Sequence, residues 1–192
     1  MGLNRVEIRR NEQMRTIKSR IAVMIAILVL VASVALAATP PATKQKTMDQ
    51  VRKELVTLPY YGVFDNLEYM VEGGTVTLSG QVLKPITRQD AERRVAKIEG
   101  VDRVVNNIEV LPVSGFDDST RARAYSMIFR TGGLYRYAMG ANPSIHIIVK
   151  NGNVTLEGAV SNQMDSQLAY TAASSVPGVF SVTNNLHVGS KS

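Results

Sequence analysis

The chain has 192 residues, 45% of them hydrophobic, no cysteine and a formal net charge of +6. That length serves one medium domain or two small ones, and disulfide stapling is excluded. Six of the basic side chains (Arg5, Arg9, Arg10, Arg15, Lys18 and Arg20) lie in residues 1–37 against Glu7 and Glu12, so the remainder is nearly balanced, which argues against a nucleic-acid partner.

The chain opens polar and basic, and Ile21–Leu36 is then continuously apolar or small. Ala35-Leu36-Ala37 offers small side chains at the positions a signal peptidase reads, with the cut before Ala38. Residues 1–37 therefore read as a signal peptide. The competing reading is an uncleaved N-terminal anchor, although the apolar run is shorter than the ~20 residues of a comfortable span. Met14 offers a second start, and the absence of cysteine excludes a lipoprotein anchor. Both readings deliver the rest of the chain to the periplasm, free after cleavage or tethered to the inner membrane and facing the periplasm.

Residues 38–46 (ATPPATKQK) read as a linker. Thr47 and Gln50 have capping-box spacing, and Met48, Val51 and Leu55 share one helical face up to Leu58-Pro59. The aromatic stretch Tyr60–Phe64 reads as a packing contact between helix and sheet or between two units. Leu67, Tyr69 and Val71 alternate with polar neighbours, Gly73-Gly74 turns the chain, and Val76, Leu78 and Val82 continue as a second strand interrupted by Gly80. Pro85–Ile98 reads as a helix stopped at Gly100, and Val101–Val110 as a third strand.

The same paragraph then recurs. Leu67–Val110 lies on Ile145–Val188 without a gap: Gly74, Gly80, Gly100 and Asn106 return as Gly152, Gly158, Gly178 and Asn184. Residues 112–117 read as a short linker, Ser119–Thr131 as the first helix of the second copy, Asn151-Gly152 as its hairpin turn and Asn162–Val176 as its second helix. The predicted fold class is α+β: two tandem α-β-β-α-β domains, residues 47–111 and 118–188. Each is a three-stranded mixed sheet with two helices on one face and the other face polar and open.

Gly74-x-Val76-x-Leu78-x-Gly80-x-Val82 and Gly100-Val101-x-x-Val104-x-Asn106, with their second copies Gly152–Val160 and Gly178–Asn184, resemble the BON domain. The tandem layout is similar to that of dual-BON envelope proteins, including the hyperosmotically inducible periplasmic type. The resemblance implies a non-enzymatic envelope protein that binds phospholipid surfaces and supports membrane integrity or osmotic-stress tolerance. It implies an anionic phospholipid membrane surface as partner, with envelope proteins as further partners, and no cofactor.

Within the second copy, residues 128–139 mix aromatics, apolar side chains and arginines. Arg130, Leu134, Tyr135, Arg136, Tyr137 and Met139 are the candidate lipid-binding residues, with tyrosine rings at the acyl boundary and arginines at phosphate. The alternative is that Phe129, Tyr135 and Tyr137 close the core of a small domain. By strand parity His146 and His187 project to the open face, where they read as solvated residues or a pH-responsive patch rather than a metal site. The repeated Asn106-Asn107 and Asn184-Asn185 read as side chains that satisfy backbone at a strand irregularity. No nucleophile elbow, phosphate loop or zinc-binding helix motif is present, so the expectation is no enzyme. The alternative function is a protein-interaction or chaperone-like stress factor that binds partners through the exposed sheet face and edge strands.

Overall fold

The computed structural model describes residues 41–140 and 142–189, with side chains from residue 44 onward. The expected signal peptide or anchor, residues 1–37, lies outside the described residues. The elements run α1 (Pro41–Val56), β1 (Asn66–Glu72), β2 (Thr75–Val82), α2 (Pro85–Val95), β3 (Arg103–Asn106), β4 (Glu109–Val110), α3 (Gly115–Arg130), β5 (Ile145–Lys150), β6 (Asn153–Val160), α4 (Gln163–Ser174), β7 (Ser181–Asn184) and β8 (His187–Val188). A 3-10 turn, Leu134–Tyr137, lies between α3 and β5.

In each copy the second strand is central. It pairs antiparallel with the first (Tyr69 opposite Leu78, Ile147 opposite Leu156) and parallel with the third (Val76 beside Val104, Val154 beside Val182). The inward faces carry Val71, Val76, Leu78 and Val82 in the first copy and Ile147, Val149, Val154 and Leu156 in the second. Two helices close each core, through Val51, Leu55, Ala91 and Val95, and through Ala124, Ile128, Ala169 and Ala173. Each fully buried aliphatic side chain stabilises its unit by roughly 1.5–3 kcal/mol, enough for domains near the lower size limit of independent folding.

The third strand is not continuous as expected but breaks after Asn106 and after Asn184. At the break, Asn106 Oδ1 accepts from the Ile108 amide at 3.2 Å while its Nδ2 donates to the Arg88 carbonyl in α2 at 3.1 Å. Asn184 repeats this with Leu186 and the Ser166 carbonyl. The amide replaces the lost ladder bonds and ties the break to the second helix, so that Ile108 and Leu186 turn inward.

Gly80 and Gly158 have φ of +106° and +109°, and a Cβ there would overlap the carbonyl oxygens of Asn66 and Ser144. Only glycine lets the central strand pass that close to the start of its neighbour.

Two expected boundaries move. Helix α1 begins at Pro41, inside the stretch read as linker 38–46, and Thr47 is buried within it rather than capping it. Proline at the first helical position has the φ that a helix needs and no N–H to leave unpaired. Likewise α3 begins at Gly115, inside the 112–117 stretch, capped by Ser114, whose Oγ accepts from the Asp117 amide at 3.2 Å.

The aromatic stretch after α1 joins the copies. Gly62–Asp65 is a tight turn closed by Asp65 N to Gly62 O at 3.1 Å. Val63 and Phe64 at its tip pack on the core of the second copy. The Val63 carbonyl accepts from the Ile147 amide at 2.7 Å, on the outer edge of β5. Lys150 Nζ reaches Glu109 at 2.6 Å. The outer face of the second sheet is therefore not open along β5 as expected: Ile148 and His146 are buried, and His146 lies against Tyr61 and Gly62 of the first copy.

Candidate functional site

The segment expected to bind lipid divides in two. Leu134 and Tyr137 are inside the second core. The Tyr137 hydroxyl accepts from the Ser161 amide at 2.8 Å and donates to Asp165 Oδ2 at 2.5 Å, and Arg136 pairs with the same carboxylate. Tyr137 first, then Arg136, hold the Asp165 carboxyl below its ordinary value. Leu134 and Tyr137 are therefore core side chains and not surface ones, and the contacts of Tyr137 and Arg136 with Asp165 fasten the long connection to the start of α4. Arg130, Tyr135, Arg136 and Met139 remain exposed.

Arg130 belongs to a different surface, one made by tertiary structure. Between α3 and the turn after α4 runs a groove of about 450 Å³ lined by Arg123, Ser126, Met127, Arg130, Thr131, Val176 and Pro177. Arg123 Nε donates to the Pro177 carbonyl at 3.2 Å, which draws helix and turn together. Beside the groove, Phe116 at the start of α3 stacks on Phe180 at 5.9 Å between centroids. Phe180 is 74% exposed and Phe116 is also exposed. A Cβ on Gly152 would strike the Phe180 ring, and one on Gly178 would sit 3.2 Å from the Arg123 guanidinium and 3.3 Å from Phe116. The repeated glycines thus clear space for the ring pair and bring it against the arginine. On α3, Phe116, Arg123, Met127 and Arg130 recur at helical spacing, forming one stripe.

The first copy supplies an internal comparison. The buried positions Thr47, Val51 and Leu55 of α1 match Thr120, Ala124 and Ile128 of α3. The groove in the same place, of about 430 Å³, is lined by Gln50, Lys53, Glu54, Arg94, Lys97, Ile98 and Glu99. There Glu54 meets Arg94 at 3.5 Å, and Glu54 stands where the second copy has Met127. Where the second copy has Phe180, the first has Asp102, against Gly74. One fold thus carries in copy one a groove whose three cations share its lining with two carboxylates. In copy two the groove is apolar and arginine-lined, with no carboxylate in its lining.

The histidines are separated. His146 lies on β5 and His187 on β8, on opposite sides of β6. The Gly62 carbonyl can only accept, so His146 Nδ1 carries the proton and donates to it at 3.2 Å, while Nε2 faces the Tyr61 hydroxyl at 3.4 Å. Burial pushes the Tyr61 hydroxyl up to about 12. Among the described residues no group of three or more metal-ligating side chains converges, and no helix is long and apolar enough to cross a membrane.

Sequence reasoning missed Phe116, Phe180, Arg123 and Met127. The spacing along α3 was available, but Phe180 and Pro177 join it only through the fold.

The comparison with curated proteins returns no match. Among solved structures, the chain is similar to CdsD, a structural protein of the type III secretion system of Chlamydia trachomatis, at 11% identity and a TM-score of 0.28, covering 75% of this chain and 93% of that one. A second structure, the CdsD C-terminal domain, gives 12% identity and a TM-score of 0.27, with 74% and 97% covered. The BON domain family model matches residues 44–112 and again 136–190. Each match contains the hairpin and the broken third strand described above, and the chain belongs to the BON-domain family, with that domain in tandem.

Proposed function

We propose that the protein is a non-enzymatic periplasmic envelope protein that docks on anionic phospholipid through the second BON domain and so supports membrane integrity or osmotic-stress tolerance. BON-domain membership carries association with phospholipid membranes and the bacterial envelope. The observation that carries the reading is the surface of copy two, where an exposed phenylalanine pair adjoins an arginine-lined groove without carboxylates.

The chemistry suits an interface. The Phe116 and Phe180 rings would enter the acyl boundary, worth roughly 1.5–3 kcal/mol for each fully transferred side chain. Arg123 and Arg130 would meet phosphate, at about 1 kcal/mol each near an anionic surface. A total of about 5–8 kcal/mol before ordering costs gives weak, reversible binding. The arginine share is screened by salt and the phenylalanine share is not. Export by cleavage after Ala37 fits this reading, with the tethered form as its alternative. N-terminal sequencing of protein from envelope fractions separates the two.

Vesicle co-sedimentation tests the docking. Pelleting with phosphatidylglycerol vesicles, reduced at high salt and lost with phosphatidylcholine alone, supports the proposal. Equal pelleting with both lipids, or none with either, refutes it.

A further inference from the structure

The hairpin turn of the second copy is the chain's one Asn-Gly pair, Asn151-Gly152. Asn151 has a φ of +52° and Gly152 a φ of +75°. Asparagine tolerates that left-handed conformation better than most side chains, which suits it to the turn. The same pair is chemically weak. Glycine puts no side chain in the way when its amide nitrogen turns back on the asparagine carboxamide, and asparagine is a heat-labile residue for this reason.

Three contacts hold this peptide group. Gly152 N donates to Asp117 Oδ1 at 2.8 Å, and Asn151 N donates to Asp117 Oδ2 at 2.9 Å. Asn153 Nδ2 donates to the Asn151 carbonyl at 3.2 Å. Asp117 is 0% exposed and Gly152 is buried, while Asn151 faces water. Asp117 lies three residues after the Ser114 cap of α3, and its own amide donates to Ser114 Oγ. An acidic side chain at that place often returns to the amide of the cap. Here both oxygens reach across to the hairpin. The nitrogen that would have to attack is thus bonded to an anion in a buried place.

The first copy differs at both positions together. Asn151 corresponds to Gly73, which has no carboxamide to lose. Asp117 corresponds to Lys44, in the register that matches Thr120 to Thr47. Carboxylate and carboxamide are present together in one copy and absent together from the other.

We propose that Asn151 is a latent deamidation site and that Asp117 keeps it shut. In the reaction the Gly152 nitrogen gives its proton to hydroxide and attacks Asn151 Cγ. The Cγ–Nδ2 bond breaks, and ammonia leaves with a proton taken from water as a five-membered imide closes. Water then opens the imide at either carbonyl, giving aspartate or isoaspartate. Asp117 opposes the first step twice. Its oxygen holds the proton on the nitrogen, and its charge disfavours the anion that the nitrogen would become. The product would damage the turn. It sets a new carboxylate beside Asp117, and isoaspartate adds a backbone carbon to a turn that pairs Lys150 with Asn153. It would also unseat Phe180, whose amide donates to the Gly152 carbonyl at 2.9 Å. The site is independent of whether the second domain docks on phospholipid.

The purified protein is incubated in warm, mildly alkaline buffer, and conversion of Asn151 is followed by mass spectrometry of its peptides. The linear peptide Val-Lys-Asn-Gly-Asn-Val, the sequence around the turn, is the reference. The intact protein should convert at least tenfold more slowly than the peptide, the weight of a hydrogen bond to a charged acceptor. In Asp117→Asn the neutral amide accepts from one N–H group at most, and conversion should be at least fivefold faster than in the unaltered protein. Ser114→Ala, which loosens the start of α3 and keeps the carboxylate, should convert about threefold faster. Gly158→Ala, destabilised toward the far end of β6, controls for folding alone and should stay near the unaltered rate. The proposal fails if the intact protein converts as fast as the peptide, or if Gly158→Ala accelerates conversion as much as Asp117→Asn. It also fails if a folded Asp117→Asn protein converts at the unaltered rate. Should Asp117→Asn not fold, Ser114→Ala decides, and an unchanged rate there overturns the proposal.

Discussion

Phe64, in the first BON domain, meets Tyr125, in the second, edge to face at 6.2 Å, and Tyr125 in turn meets Phe129 at 4.8 Å. This aromatic series runs from a turn of one domain into the core of the other, so the second domain is completed by the first. Phe64→Ala should remove a half-buried ring from that core and cost about 2 kcal/mol, below the 3–5 kcal/mol of a fully buried phenylalanine. The loss should fall on the second domain: amide exchange at Ile147 should speed up while that at Val76 stays as it is. Equal acceleration in both domains would show that the contact is not local.

Gly158→Ala should destabilise the protein by more than about 2 kcal/mol, because it combines a φ of +109° with a Cβ driven into the Ser144 carbonyl. Gly115→Ala, at the first turn of α3 with nothing near its Cβ, should be neutral or slightly stabilising. Chemical denaturation of the two variants side by side checks this pair, and similar midpoints would contradict it.

The Tyr137–Asp165 bond gives a pH signature. The native Asp165 carboxyl titrates below its ordinary 3.8, chiefly through the Tyr137 hydroxyl. Its contribution is therefore complete above about pH 4 and is lost as pH falls through the lower native value. Tyr137→Phe should cost about 1.5 kcal/mol at neutral pH, the scale of a hydrogen bond to a charged acceptor. That difference should shrink below pH 4, leaving only the part due to the lost Ser161 amide partner. Stability curves measured from pH 7 to pH 3 decide; a difference that grows on acidification would reverse the assignment.

The duplicated Gly–Asn framework made the fold readable, because Gly80, Gly158, Asn106 and Asn184 each meet a local backbone need that sequence spacing records. Pro41 was hidden because a proline pair reads as a break, whereas Pro41 begins a helix. The third strand looked continuous because alternation alone does not show that Asn106 and Asn184 substitute their amides for ladder bonds. His146 was placed on the correct face by parity, but what covers it, the Gly62–Asp65 turn, comes from the other domain. The docking surface was half legible: Arg130 was singled out, whereas Phe116 and Phe180 come together only over Gly152, across the whole length of the second domain. Tyr137 and Arg136 had the composition of an interface, and their commitment to Asp165 follows from a contact that no short-range pattern encodes.

The two grooves, alike in position but with carboxylates in the lining of the first alone, allow a controlled comparison. Arg123→Glu/Arg130→Glu reverses the charge of the groove in the second domain, and Lys53→Glu/Lys97→Glu does the same in the first. At about 1 kcal/mol for each arginine removed, the first double variant should lose at least thirtyfold in affinity for phosphatidylglycerol vesicles. The second should bind within about threefold of the unaltered protein. Equal losses in the two variants, or full binding by the Arg123→Glu/Arg130→Glu protein, would contradict a phospholipid surface on the second domain.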